Sequence, residues 1–430
     1  MRRHGMKGLN QRSDDGVAAS TLAFVTRINI YGFGLRVFWI VTNVILLPNR
    51  VEDTVQVGLH GTALGLIAFL GVGLAAFVQP IAGRTSDAWP GTDKRRPFII
   101  AGTCVALPGL LIFGGATHAG VVLAGFVSMQ LGANIAQAAF QAFIPDLVPR
   151  EHRGLASGVK NILAVLGSAL GLLGGEAILL LHGSTGWVIA YIGAVLALTT
   201  ALTLVWVPRI PGETAGSWQT TVLPAMNPRK VWREAVTMLR RHTVFRRAVL
   251  AQFLFVLGTY PSERFLVLFL KARFADQVHQ IVAIGGVAAI AIAILAAGVA
   301  GSMSDRIGRP KVLTVATICG GTGMVLVGLS TTIPLLMVAG SLIAIAYGAF
   351  LSVNWAQLND DLPAHEFAAA LGVANISSAG AGAMAGLFGP VLDIVNAVSP
   401  RATYPVLFGL AGMVVFLALI PLNRLRNGDA

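Results

Sequence analysis

The sequence contains little charge and almost no cysteine. Charged residues make up 12% of its 430 residues and hydrophobic residues 55%, whereas a soluble domain carries about 25% charged residues. This composition excludes an ordinary soluble domain, whose core could not absorb so much apolar surface. The two cysteines, Cys104 and Cys319, both fall within apolar stretches and exclude a disulfide framework. The N-terminal segment lacks the apolar core and small-residue cleavage site of a signal peptide, so none is expected.

Motifs for catalysis and for nucleotide binding are also missing. The sequence has no phosphate-binding loop of the G-x-x-x-x-G-K-S/T type, no His/Cys set at metal-ligand spacing and no nucleophile motif. An enzyme, an ATP-driven pump, a metal site and a cofactor are therefore disfavoured. The net charge of +12 does not indicate nucleic-acid binding, because the basic residues lie between the apolar stretches and not in one cluster.

Long apolar stretches are abundant. A membrane-spanning helix needs about 20 apolar residues, and the chain has room for about twelve such helices and for no separate soluble domain. The predicted spans cover 22–48, 58–83, 97–116, 119–145, 157–182, 185–207, 246–270, 279–302, 312–330, 332–358, 368–396 and 402–423. We expect an all-α, multi-pass membrane protein embedded in a lipid bilayer.

The basic residues predict its orientation. With both termini inside, the inner segments hold 24 of the 31 Lys and Arg residues, and the outer loops hold only four. Cytoplasmic loops carry such an excess in membrane proteins. We therefore expect an inner or plasma membrane protein with both termini in the cytoplasm.

An internal repeat divides the chain into two halves. Gly83, Ser86 and Asp87 recur 218 residues later. Further on, six residues recur at a constant offset of 214: Asp146, Pro149, Gly158, Val159, Asn161 and Ile162 correspond to Asp360, Pro363, Gly372, Val373, Asn375 and Ile376. Parallel repeats of this kind occur in transporters. The predicted division is a six-helix half at 1–207, a linker at 208–245 and a second six-helix half at 246–430.

The linker predicts one further helix. From Pro228 onward, apolar residues recur at helical spacing among basic ones, which indicates an amphipathic helix. It would either lie on the inner leaflet or be solvated, and the sequence leaves both open.

Two inner loops at corresponding positions carry a family resemblance. The segments G-R-T-S-D-A-W-P-G-T-D-K-R-R-P-F-I (83–99) and G-S-M-S-D-R-I-G-R-P-K (301–311) resemble the inner-loop signature of the major facilitator superfamily, G-x-x-x-D-R-x-G-R-K. The resemblance implies the major facilitator fold and secondary transport by rocking of two halves around a midplane site.

The same loops suggest gating residues. Small residues let helices approach closely, and a carboxylate at an inner helix end can contact a helix N-terminus of the other half and nearby arginines. Such contacts would hold the inner side closed. The candidates are Gly83, Asp87, Arg95, Arg96, Asp146, Arg150, Arg153, Gly301, Asp305 and Arg309.

Branch-level features point to sugar transport. The K-R-R-P-F-I segment (94–99) is similar to the loop of sucrose-type transporters and of the glycoside-pentoside-hexuronide cation symporters, and 145–158 reads like another loop of such proteins. Drug antiporters of the superfamily carry G-P-x-x-G-G in span five. Here Leu172 occupies the proline position and the final glycine pair comes one residue early, so that motif is not matched.

Polar residues within spans predict the solute pathway, since they are costly in a bilayer and usually face an aqueous cavity. In span four, four amides share one face of the helix at 100° per residue. They would line either a cavity or a packing seam between helices. The candidate substrate-binding residues are Asn29, Arg36, Trp39, Asn43, Gln130, Asn134, Gln137, Gln141, Tyr260, Tyr347, Asn354 and Trp355.

Charged residues within spans are candidates for proton coupling. Glu176 is the only carboxylate well inside the first-half spans. An ionised carboxylate at that depth must be paired, hydrated or protonated. We expect Arg36 to be its partner, with Glu263 and Arg264 of span seven as further candidates. A static ion pair is the structural alternative.

These features together predict a secondary transporter that acts as a monomer and couples the uptake of a sugar or glycoside to H⁺. Proton-driven efflux of a drug or metabolite is one alternative. A non-transporting membrane sensor or assembly factor is the other.

Overall fold

The structure, a computed structural model, describes residues 5–212, 228–360 and 367–426, and within these ranges it is entirely helical. Twelve helical spans confirm the expected architecture. Their bounds, from span one to span twelve, are Thr21–Thr54, His60–Asp87, Arg96–Gly114, Ala119–Leu147, Arg150–His182, Thr185–Trp206, Thr243–Arg273, Ala275–Ile307, Arg309–Leu329, Ile333–Leu358, Gly372–Val398 and Thr403–Leu425.

The packing of the first six spans recurs in the last six. Span one packs against spans five and six, span two against span four, and span three against span four; spans seven to twelve repeat each of these pairings. Because every pairing recurs at the corresponding position, the chain consists of two six-helix repeats.

A pair of buried amides shows the repeat at atomic detail. Asn29 of span one donates a hydrogen bond to the carbonyl oxygen of Ala156 at the start of span five, at 3.3 Å. Gln252 of span seven donates to the carbonyl of Ala374 in span eleven, at 3.5 Å. Each amide ties the first helix of its half to the fifth, so both side chains are structural tethers.

Two ends of the bundle are distinguished here. The "basic end" carries the 88–95 loop, the start of span five and the linker helix Pro228–Arg241; the "opposite end" carries the 55–59 loop and the turn after span seven. On the linker helix, Met238 is buried with Phe245, Leu358 and Ala374. The helix therefore packs against the second half at this residue. Positions 213–227 of the predicted linker lie outside the described residues.

The halves meet through spans two and eleven and through spans five and eight. Glycines allow the first contact: a Cβ added to Gly65 would lie 1.9 Å from the carbonyl oxygen of Gly386, and one added to Gly61 would lie 2.7 Å from that of Gly389. The two backbones thus touch near the opposite end, as small residues permit between membrane helices.

Candidate solute cavity and gates

Polar contacts join the halves at the opposite end. The ammonium group of Lys271 in span seven forms an ion pair with Glu52 and donates a hydrogen bond to Asn49 Oδ1 at 2.6 Å, both in span one. The carboxylate of Asp393 in span eleven accepts hydrogen bonds from the backbone N–H groups of Gly61 at 3.0 Å and Thr62 at 2.6 Å. We refer to these two groups of contacts as the opposite-end clasp.

Glu176 forms a further contact between the halves. Its carboxylate lies 2.6 Å from Nδ1 of His279 at the start of span eight, and its side chain is only 5% exposed, against 44% for the histidine. The carboxylate belongs to span five, so this pair joins the spans that already pack across the interface.

Arg36, the predicted partner of Glu176, lies at a different depth, so that prediction is wrong for this conformation. A Cβ added to Gly167 of span five would lie 3.0 Å from the Cβ of Arg36, which places the two residues at the same level. Glu176 is nine residues further along span five, about 13 Å at 1.5 Å per residue. The arginine side chain does not bridge that distance.

Asn43 and Arg264 form a contact between the halves near the middle of the bundle. Arg264 of span seven is buried and donates from Nη1 to Asn43 Oδ1 of span one at 3.0 Å. Its guanidinium also lies 5.9 Å from the ring centre of Tyr260, within the range of a cation–π contact. Three residues predicted separately are thus brought together.

These contacts define the conformation. The hydrogen bonds and ion pairs between the halves described above all lie between the middle of the bundle and the opposite end. Arg36 and Gln141, nearer the basic end, are exposed. The bundle is therefore closed at the opposite end and open toward the basic end.

The predicted gating charges at the basic end pair within the first half. Arg95 is buried, with its guanidinium 2.5 Å from Asp87 and 2.8 Å from Asp146. It also donates to Ser86 Oγ at 2.9 Å. Asp87 thus contacts an arginine, as expected, but one of its own half.

The remaining gating candidates also have bonds within their own half. Arg96 pairs with Asp93, Arg153 donates to the carbonyl of Val148, and Arg309 donates to that of Ala356. Arg150 and Asp305 are exposed.

Gly83 and Gly301 make no close helix contact in this conformation, in contrast to the expectation. A Cβ added to Gly83 would meet nothing within 4 Å, and one added to Gly301 would have only Ser352 Oγ, at 3.8 Å. Within the described ranges, no helix approaches closely at either glycine.

The four amides of span four divide into two pairs. Gln130 and Asn134 are buried and hydrogen-bonded to one another, and Asn134 also accepts a bond from Gln79 of span two at 2.8 Å. Gln137 is half-buried and Gln141 is exposed. Gln130 and Asn134 thus form a polar contact between spans two and four. Gln137 and Gln141, nearer the basic end, remain available to a solute.

A cavity of about 350 Å³ lies in the second half, lined mainly by apolar side chains of spans seven, eight and ten. Its polar lining includes Tyr260, Glu263 and Tyr347. The hydroxyl groups of the two tyrosines interact with each other, and the charges of Arg36 and Glu263 act on both rings. Val44 of span one also lines the cavity, which therefore reaches the interface with the first half.

The other candidate binding residues are packed. Asn29 is buried in its tether, and Asn354 donates to Gln252 at 2.9 Å. Trp39 is half-buried and edge-on to Phe38, with ring centres 5.6 Å apart. Trp355 packs on the apolar cluster around Met238.

Sequence reasoning missed the residues that close the opposite end. Lys271, His279 and Asp393 sit at span ends, where a solvated charge is the ordinary interpretation. The available signal was weak: Gly61 and Gly65 are spaced by four, as are Gly382 and Gly386, and this spacing allows close helix contact.

Comparison with known proteins extends these findings. The sequence profile of the Major Facilitator Superfamily matches residues 22–386. A curated relative, the MFS efflux transporter aclA of Aspergillus oryzae, is 33% identical over 144 residues, which cover 34% of this chain and 25% of the relative. The match thus spans about a quarter of that relative's length.

Three solved structures share the fold. The nucleoside transporter NupG has a TM-score of 0.72 and 13% identity, covering 94% of this chain and 98% of that one. A bacterial homologue of the human lysosomal transporter Spinster, inward-facing and unoccupied, has a TM-score of 0.66 and 15% identity over 95% of each chain. The human organic anion transporter MFSD10 has a TM-score of 0.63 and 16% identity, covering 93% of this chain and 99% of that one. At these identities the likeness shows the fold alone.

Proposed function

Because the chain belongs to the major facilitator superfamily, it is a membrane transporter of small solutes and not an enzyme, and we propose that it couples the uptake of a sugar or glycoside to H⁺. The basic end faces the cytoplasm in this proposal, as the excess of Lys and Arg favours, with both termini inside a plasma or inner membrane. Each chain holds both halves of the pathway, so it acts as a monomer.

The observation that carries the proposal is the one-sided contact between the halves. Bonds between them lie toward the opposite end, while polar side chains are exposed toward the basic end. Transport by alternating access requires one such state and its reverse, with the solute bound between. The structure corresponds to the inward-open state under the proposed orientation.

The sugar assignment rests on loop resemblance and on the side chains around the cavity. The K-R-R-P-F-I segment and 145–158 resemble loops of sugar symporters. Gln137 and Gln141 offer amide groups for hydroxyls, and Tyr260 and Tyr347 offer rings for C–H faces. The cavity of about 350 Å³ falls in the usual range for small-ligand pockets.

Glu176 is the proposed coupling site, with His279 as its partner in place of Arg36. Opening the opposite end must break this pair, since it joins the two halves. The freed carboxylate then takes a proton from outside, because an unpaired charge at that depth is costly. Closure restores the pair and favours loss of the proton.

The test uses purified transporter in vesicles, with solute uptake driven by an imposed pH gradient. We expect Glu176→Gln to abolish accumulation driven by the gradient and to retain exchange of solute across the membrane. Asp276→Asn is the control, because Asp276 is an exposed carboxylate near the same end. Normal gradient-driven accumulation by Glu176→Gln would contradict the coupling role, and Glu263 would be the next candidate.

Efflux of an apolar drug or metabolite is the second candidate. The mainly apolar lining of the cavity and the partial match to an efflux transporter favour it. The same vesicles distinguish the two. Under efflux by antiport, the same inward pH gradient would expel an amphipathic dye, and no sugar would accumulate.

A further inference from the structure

Arg36 is an uncompensated charge near the middle of span one. It is exposed, and it forms no hydrogen bond or ion pair with any residue that the structure describes. A charged side chain at membrane depth is costly and is normally paired or turned toward a water-filled space with a function. An exposed, unpaired charge at this depth calls for a partner that comes from outside the chain.

The surroundings of Arg36 do not supply that partner. A second cation, Lys160 of span five, lies within electrostatic range of Arg36, and the two charges repel each other. On the side of the second half, Tyr260 and Tyr347 lie within electrostatic range of Arg36. Lys160 itself lies 5.3 Å from the ring centre of Phe140. Two cations and neutral side chains therefore surround one open space.

The carboxylates of this region do not neutralise these cations. Glu263 acts on the two tyrosines but forms no ion pair with Arg36 within the described residues, and Arg264 adds a third cation beside it. Glu176 lies about 13 Å further along the helix axis and is bound to His279. Arg36, Lys160 and Arg264 thus outnumber Glu263 in this region, which has an excess of positive charge.

We propose that the transported solute carries an acid group, which binds Arg36 and Lys160 while the rest of the solute packs against Tyr260 and Tyr347. This rests on the proposed function and refines it: the favoured solute is a sugar acid or an acidic glycoside, not a neutral sugar. A carboxylate or a phosphate could accept two parallel N–H bonds from the guanidinium. A neutral solute would leave both cations unpaired.

The experiment measures binding to the purified full chain by calorimetry, with two matched pairs of probes. Phenyl β-glucuronide differs from phenyl β-glucoside only at C6, where a carboxylate replaces the hydroxymethyl group. Glucose 6-phosphate differs from glucose only in its phosphate. We expect the wild-type protein to bind one or both acids at least about 10-fold more tightly than the neutral partner, since a hydrogen bond to a charged group contributes about 1.5–3 kcal/mol. The pair that shows the difference identifies carboxylate or phosphate.

Variants then assign the effect to Arg36. Arg36→Gln should weaken binding of the acid about 10- to 100-fold and leave the neutral probe within about threefold, and Arg36→Lys should restore part of the loss. Arg27→Gln is the control, because Arg27 is exposed on the same helix and nine residues, or two and a half turns, place it on the opposite face. Thermal melting checks that each variant is folded.

Equal binding of acid and neutral probes by the wild type would overturn the inference, as would the absence of binding by either acid. A loss that is equal for both members of a pair in Arg36→Gln would overturn it too. Uptake of the neutral sugar without binding of an acid would refute the acidic solute and still support the proposed function. Binding of an acid without transport under any gradient would refute the proposed function and support the acidic ligand.

Discussion

Arg95 is the least exposed charged side chain among those the structure describes, at 2%. It lies between two carboxylates and a hydroxyl group, and all three belong to loops or helix ends at the basic end. Burial of one charge between two opposite charges is stable only while both partners remain. The side chain therefore fixes the end of span two against the end of span four.

We predict that Arg95→Gln lowers the thermal stability of the first half, in addition to any effect on gating. The substitution removes charge-assisted hydrogen bonds and leaves Asp146 without its closest cation, at a cost of about 1.5–3 kcal/mol. Thermal melting in detergent measures this, with Arg150→Gln as an exposed control of the same residue type. Equal melting temperatures for both variants would show that the cluster contributes no stability.

The span-four amides show what sequence can and cannot decide at this scale. Helical spacing placed Gln130, Asn134, Gln137 and Gln141 on one face. Spacing does not reveal that Gln79 of span two covers Gln130 and Asn134 and bonds to Asn134. Which residues of a polar face are covered depends on helix–helix packing, which spacing alone does not specify.

At the scale of elements, the contact of spans two and eleven limits closure of the opposite end. Gly65 and Gly386 approach so closely that a Cβ at either position would overlap the carbonyl oxygen of the other. The two helices cannot keep this separation with larger residues.

We predict that Gly65→Ala shifts the protein away from the closed state of the opposite end. The added methyl group would stand 1.9 Å from a carbonyl oxygen, so the spans must separate. Labelling of a cysteine placed at Thr62 should accelerate in this variant. Gly409→Ala is the control, since a Cβ there meets nothing within 4 Å, and faster labelling in both variants would remove the argument.

The spans themselves were predictable, because their length and apolar character follow from the thickness of the bilayer. The exact ends of the spans were harder to predict. Span one was predicted at 22–48 but extends to Thr54, and span five was predicted from 157 but begins at Arg150. Polar residues continue these helices beyond the apolar stretch, and hydropathy does not detect such extensions.

At the scale of the whole molecule, the repeat fixes which helices are neighbours but not which end is closed. The contacts of the clasp, which close the opposite end, lie near span ends. The clasp joins non-equivalent residues of the two halves, such as Lys271 and Glu52, so the repeat gives no indication of it.

The noncovalent contacts between the halves have a consequence for a severed polypeptide. Spans two and eleven and spans five and eight hold the halves together, and the linker helix Pro228–Arg241 is anchored to the second half through Met238. Two separately expressed fragments, 1–220 and 221–430, should therefore assemble in one membrane and transport solute. Co-purification through a tag on one fragment measures assembly, and its failure would mean that the halves depend on being one chain.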